Sequence, residues 1–379
     1  KAELVASLRQ SKYTDQLENY PSIDYRPGAA AFNGDGLLFD GAPLAAEKTV
    51  IACGSQASVP DIAGIKDTPF LTSTTAFALE QLPGSILLIG GGYIGCEVAQ
   101  MLARAGVAVT IACRSRLLPE GEPEISDALR GYLRDEGLTV MDGLSYESIE
   151  RTGTGVALRV ETDGAAQVLQ AERLLLSAGR RPNTQGLGLE QAGIKTRANG
   201  GIAIDERMRT SRANVYAAGD VTGRDQFVYM AAHGAKIAAQ NALNGDSQVY
   251  DNNAMPAVVF TDPQVATVGL TEADAIAAGP DVVTSLLPLE FVPRALAARD
   301  TRGLIKLVAD SGTKRLLGAH ILAPEGADSI QTAALAIRQG MTYVELGEMI
   351  FPYLTTVEGL KLAAQTFEKD IAKLSCCAG

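Results

Sequence analysis

The stretch that most restricts the fold is SILLIGGGYIGCEVAQMLARAGVAVTIACRSR, residues 85–116. An apolar run meets three glycines, continues with apolar residues at helical spacing, and ends in a second apolar run. That order predicts a strand, a glycine turn, a helix and a second strand, which is one βαβ unit. Gly90, Gly92 and Gly95 are spaced G-x-G-x-x-G between the first strand and the helix. In a dinucleotide site the first glycine allows the tight turn, the second lets the backbone approach a pyrophosphate, and the third lets helix and strand pack closely. The helix N-terminus adds N–H donors and a favourable dipole for phosphate. A turn with only a packing role is the other reading; the strand, turn, helix, strand context favours the dinucleotide.

The end of the second strand selects among dinucleotides. An NAD site places Asp or Glu there to accept from the ribose hydroxyls, but TIACRSRLL carries no carboxylate. Arg114 and Arg116 stand in its place and offer charge to a 2′-phosphate, which predicts NADPH; two solvated surface arginines are the alternative. The formal charge of −11 disfavours nucleic acid and anionic membrane as partners, so a small-molecule substrate is expected. No apolar run of about 18 residues is present to span a bilayer and no signal peptide opens the chain, which predicts a cytoplasmic protein. The five cysteines build no disulfide framework. Cys376 and Cys377 stand side by side in SCCAG at the chain end, where there is little core to fill, so their expected role is sulfur chemistry. Cys53, Cys96 and Cys113 are read as core residues, and His233 and His320, with no second ligand at metal spacing, as structural.

The pattern of a strand followed by glycine recurs at KTVIACGSQASVP, AERLLLSAGRRPN and NVYAAGDVTG. From AMPAVVFTDPQVATVG onward the texture changes to strands, with alternation in GLIKLVAD and RLLGAHILA, and then three helical segments. Together with GGGYIGCE these motifs resemble the flavoprotein pyridine nucleotide-disulfide oxidoreductases along essentially the whole chain. The resemblance implies an α/β, glutathione-reductase-like fold, with Rossmann-type nucleotide-binding domains and a C-terminal α+β dimerisation domain. It divides the chain into a partial FAD-binding domain (1–78), an NADPH-binding Rossmann domain (79–178), a second FAD-binding segment (179–253) and an interface domain with the terminal Cys pair (254–379). A homodimer is implied as well.

Within the family two features are similar to the Hg(II)-reducing members. In FPYLTTVEGLKLAAQTF, Tyr353 stands where disulfide-reducing relatives carry a catalytic histidine five residues before a glutamate, here Glu358. The other feature is the Cys376–Cys377 pair. Reducing a disulfide needs a general acid near neutral pH, which suits imidazole and not a phenol of pKa about 10. Reducing a metal ion needs no such donor, and soft thiolates prefer a soft ion such as Hg(II). The resemblance further implies that Asp220 bonds the FAD ribityl chain, Gly219 permits close approach, Val228 presents its backbone to the flavin ring and Ala30 meets the adenosine end. Tyr93 corresponds to a tyrosine that covers the flavin and yields to nicotinamide, or else is an ordinary helix-face aromatic. Glu97 lies near the nicotinamide in relatives, or else is an exposed helix carboxylate.

The family also relies on a first glycine fingerprint for FAD and an inner C-x4-C pair. Neither is found: no such fingerprint precedes residue 90 and no two cysteines are five apart. The expectation is that more sequence lies upstream; a chain complete as it stands would be a non-catalytic NADPH and metal-binding module. A general disulfide reductase is the third reading, opposed by Tyr353 and by the terminal pair.

Overall fold

In the computed structural model, which describes residues 1–279 and 281–371, the run Ser85–Ile89 lies inside a four-stranded parallel sheet. The strand order is Arg173–Leu176, Ser85–Ile89, Ala108–Ala112, Thr139–Met141. Its side chains alternate between two separate cores. Ile86 and Leu88 pack with Val98, Ala99 and Leu102 of the helix Tyr93–Arg104 and with Leu129 and Leu133 of the helix Pro123–Asp135. Leu87 and Ile89 point the other way, onto Ile149, Leu158 and Val160 of an antiparallel sheet formed by Ser145–Arg151, Val156–Thr162 and Ala165–Ala171. A strand covered on both faces reads as continuously apolar, which is why SILLI shows no polar alternation. Each of these four buried side chains stabilises the fold by about 1.5–3 kcal/mol relative to exposure.

The chain divides into two compact units, one of residues 1–54 and 182–250, the other of 55–181 and 251 onward. The second unit therefore holds the parallel sheet together with a five-stranded antiparallel sheet. That sheet runs in the order Pro256–Val259, Gln264–Gly269, Leu316–Ala323, Leu304–Asp310, Val282–Pro288. Helices Gly326–Arg338 and Glu358–Gln365 cover one of its faces, burying Ile305, Leu307 and Ala309 against Ile330, Ala333 and Leu360. The expected alternation in GLIKLVAD is not observed: residues 305–309 are all buried. The second face is covered as well, with Leu322 and Val265 joining the core of the nucleotide-type sheet. Lys306, on that face, is buried and lies in register with His320.

The first unit contains the antiparallel strands Ala30–Asn33, Gly36–Phe39 and Ala42–Leu44, and a parallel pair, Thr49–Ile51 with Val215–Ala217. A short 3-10 turn, Gly219–Thr222, and the helix Val228–Asn244 follow. Phe32, Ile51, Ile202, Val215, Ala217 and Val221 form its core. The opening helix Ala2–Arg9 buries none of its residues. Among the described residues no helix is long and apolar enough to cross a membrane.

Candidate functional site

The three fingerprint glycines are required for different reasons. Gly90 has φ +116°, and a Cβ there would stand 2.2 Å from the Ser177 carbonyl oxygen, so both conformation and space demand glycine. At Gly95 a Cβ would lie 2.3 Å from the Gly90 carbonyl oxygen, the close packing of helix on turn. Gly92 is the exception, because a Cβ there would meet nothing within 4 Å. It occupies the N-cap of the helix Tyr93–Arg104, where no side chain caps the first-turn N–H groups. Open space beside uncapped donors is what a phosphate needs.

After the second strand, Arg114 and Ser115 are exposed and Arg116 is half-buried. Arg116 Nη2 donates to the Pro119 carbonyl at 2.8 Å and to that of Gly121. Its buried Nε has no partner among the described residues. The same loop is tied to the glycine turn by the Leu118 N–H, which donates to the Gly91 carbonyl at 2.8 Å.

Tyr93 opens the helix, half-buried, with a side-chain hydrogen bond to Thr267; burial raises its phenol pKa and Glu120 adds to that. Glu97, one turn on, is half-buried, and its Oε1 accepts the Phe260 N–H at 2.8 Å. Burial holds this carboxyl above its ordinary range, although the Phe260 bond works against the shift. Tyr93 and Glu97 thus both contact the 256–269 hairpin. Tyr353 is 56% exposed on the loop before Glu358–Gln365, beside Ile350, which is 97% exposed. Glu358 is buried, accepts the Leu354 N–H at 3.2 Å on Oε2, and is raised in pKa by that burial. The carboxylate thereby fixes the backbone next to Tyr353.

In the first unit, Gly219 has φ +74° and would bring a Cβ to 3.1 Å from Ala231 Cβ, so the turn lies directly against the helix. Asp220 follows in that turn, half-buried, and Val228 begins the helix with 81% of its surface exposed. Ala30 is exposed at the start of its strand. A glycine-lined turn beside a bare aliphatic helix start fits a large flat ring with a polar chain, and these residues are compatible with a flavin. Cys376 and Cys377 lie outside the described residues.

Of the three internal cysteines, Cys96 and Cys113 are buried, and burial raises both thiols, Cys113 to about 12. Cys53 corrects the sequence reading, for it is exposed. Its Sγ donates to the Asn183 carbonyl at 3.1 Å and Asn183 Nδ2 returns a bond to the Cys53 carbonyl at 2.9 Å. It sits in the turn beyond a three-residue strand, past the point where the core ends. Sequence reasoning missed Lys306, which is ion-paired in the interior to Glu122, Glu124 and Glu272. A lysine inside the otherwise apolar run 304–309 was the available signal.

Residues 3–239 match the family described as pyridine nucleotide-disulphide oxidoreductase, and residues 255–364 match that family's dimerisation domain. The chain belongs to the pyridine nucleotide-disulphide oxidoreductases, whose members use a flavin and a nicotinamide nucleotide. It is similar to a protein named mercuric reductase from Streptomyces lividans, 46% identical over 386 residues, covering 100% of this chain and 81% of that protein. Another mercuric reductase, from Staphylococcus aureus, is 43% identical over 378 residues, covering 99% and 69%. Among solved structures, the Cu(II) complex of HOCl-induced flavoprotein disulfide reductase RclA from Escherichia coli superposes with a TM-score of 0.86 at 33% identity, covering 97% of this chain and 84% of that one.

Proposed function

We propose that the protein reduces Hg(II) to Hg(0) at the expense of NADPH, as a cytoplasmic homodimer in which Cys376 and Cys377 capture the ion. The observation that carries this is the placement of Tyr353, an exposed phenol on a backbone fixed by buried Glu358, where a disulfide reductase needs an imidazole. Similarity to proteins named mercuric reductase supports the same reading. The balance is NADPH plus Hg(II) giving NADP+, Hg(0) and one proton: the hydride carries both electrons, and no proton is delivered to the product.

The chain's own residues divide the work. Gly90, Gly92 and Gly95 shape the pyrophosphate turn, and Arg114 with Arg116 selects the 2′-phosphate. Tyr93 and Glu97 serve the nicotinamide end, where half-buried groups exclude water. FAD, held by Ala30, Gly219, Asp220 and Val228, supplies a two-electron carrier between nicotinamide and metal. The segments 1–78 and 179–253 form the FAD-binding domain, 79–178 the NADPH-binding domain and 254–379 the interface domain. Adjacent thiolates in a tail win Hg(II) from other thiols by ligand exchange and pass it on in the same way.

Disulfide reduction is the second reading, favoured by the likeness to RclA. One experiment separates the two: NADPH oxidation by the purified protein with thiol-bound Hg(II) or with a small disulfide, while volatile mercury is collected. Mercury-dependent oxidation with release of Hg(0) is expected. Oxidation driven by the disulfide and not by Hg(II) would reject the proposal.

A further inference from the structure

The buried lysine lies outside the roles described so far. Lys306 and Glu122 retain only 3% and 2% of their side-chain exposure. The ammonium donates all three of its protons to carboxylates: Glu122 Oε2 at 2.9 Å, Glu124 Oε1 at 2.8 Å and Glu272 Oε2 at 2.7 Å. These carboxylates gather closely enough to suggest a metal, but the ammonium already fills the space between them. Burial alone would lower the lysine pKa, and the three carboxylates more than reverse this, which favours the charged ammonium. Glu122 is held twice, because its Oε1 also accepts the Glu272 N–H at 2.6 Å. His320 Nε2 lies 3.6 Å from that oxygen and faces the Leu270 carbonyl at 3.0 Å; burial lowers its pKa.

Glu122 ends the loop that carries the two arginines. From it the connections run without a break: Arg116 bonds the Gly121 carbonyl, the Gly121 N–H bonds the Leu118 carbonyl at 2.9 Å, and the Leu118 N–H bonds the Gly91 carbonyl at 2.8 Å. Ser126, in the first turn of the following helix, donates to the Leu117 carbonyl at 2.6 Å. One end of the loop is pinned to the glycine turn and the other to a lysine of the C-terminal sheet. We propose that Lys306 is a positioning residue for the nucleotide, holding loop 114–122 from the C-terminal sheet so that its arginines meet the 2′-phosphate. This rests on the assignment of Arg114 and Arg116 made above. A buried ion pair is weak evidence for stability as such and is better suited to fixing one arrangement among several.

The test is equilibrium binding of NADPH and of NADH to the purified protein, followed by nucleotide fluorescence, for the wild type, Lys306→Met and Glu272→Gln. A displaced loop should raise the Kd for NADPH on the order of tenfold. The Kd for NADH should change much less, so that preference narrows. Glu272→Gln, which keeps the lysine and two carboxylates, should move in the same direction by a smaller factor, and it decides the matter should Lys306→Met not fold. A folded variant with a lower melting temperature but the wild-type NADPH-to-NADH ratio would show a purely structural latch and overturn the proposal. A wild type without NADPH preference would overturn the assignment of the arginines, and the inference with it.

Discussion

Replacing the fingerprint glycines one at a time should separate folding from nucleotide binding. At Gly90 an alanine would carry φ +116° and a Cβ 2.2 Å from a backbone oxygen of the neighbouring strand connection, which cannot rotate away. Overpacking costs about 1–3 kcal/mol, and a backbone angle of this kind costs about another 1–3, so Gly90→Ala should lose about 2–6 kcal/mol of stability. At Gly92 the backbone angles are φ −80° and ψ −172°, ordinary for alanine, and the added methyl meets open space. The remaining cost is the poorer N-cap, at most about 1 kcal/mol. That methyl would occupy the space assigned to the pyrophosphate. One misplaced carbon in a fitted site costs about 1–3 kcal/mol, roughly ten- to two-hundredfold in affinity. Thermal unfolding and NADPH fluorescence titration of both variants read the two effects. At about 2–4 °C per kcal/mol, Gly92→Ala should melt within a few degrees of wild type and bind poorly, while Gly90→Ala should melt far earlier. If Gly92→Ala binds NADPH as tightly as wild type, the open space is not a phosphate site and the reasoning fails.

Four further outcomes are expected. Arg114→Glu should reduce NADPH preference and, as an exposed substitution, shift stability by no more than about 0.5 kcal/mol; Arg116→Glu should also destabilise, because it strips donors from the Pro119 and Gly121 carbonyls. If the Tyr353 phenol oxygen helps position the ion during transfer, Tyr353→Phe should slow Hg(II) reduction about tenfold while stopped-flow bleaching of the flavin by NADPH is retained; an equal fall in both would contradict that role. Changing Cys376 and Cys377 together to Ala should impair turnover on thiol-bound Hg(II) far more than on Hg(II) chloride, with single variants intermediate; unchanged turnover on the thiol complex would make the pair incidental. Burial raises the Glu358 carboxyl above its ordinary value of 4.5, so the native state keeps the proton to higher pH than the unfolded chain does. Stability on this account falls as pH rises from that value through the folded pKa; Glu358→Gln should flatten the melting temperature over this window, and an unaltered slope would assign the pH dependence elsewhere.

What could be read directly from the residues is what depends on neighbours in the chain. The βαβ unit was legible because a buried strand, a turn that only glycine can make, and a helical repeat are each local, and Gly90 and Gly95 are crowded by backbone belonging to that same unit or to the strand beside it. Tyr353 carried meaning only through resemblance, since a tyrosine before a glutamate has no chemistry of its own to announce, whereas the adjacent Cys376 and Cys377 already pointed to sulfur chemistry and the resemblance added the metal. The alternation expected in GLIKLVAD fails for a different reason. Period 2 reports which residues share a face, but not whether that face meets water, and here both faces are covered. Nothing near Lys306 in the chain marks it as paired, because its partners Glu122, Glu124 and Glu272 are 184, 182 and 34 residues away. Cys53 erred in the opposite direction, an apolar-looking residue placed just where its strand runs out of core. Lysine is seldom buried without partners, so a lysine buried inside the apolar run 304–309 implies that carboxylates must arrive from elsewhere. Which carboxylates they are follows from the packing of one sheet against another: in this protein Glu122 ends the nucleotide loop, Glu124 opens the helix after it, and Glu272 opens a helix of the C-terminal region.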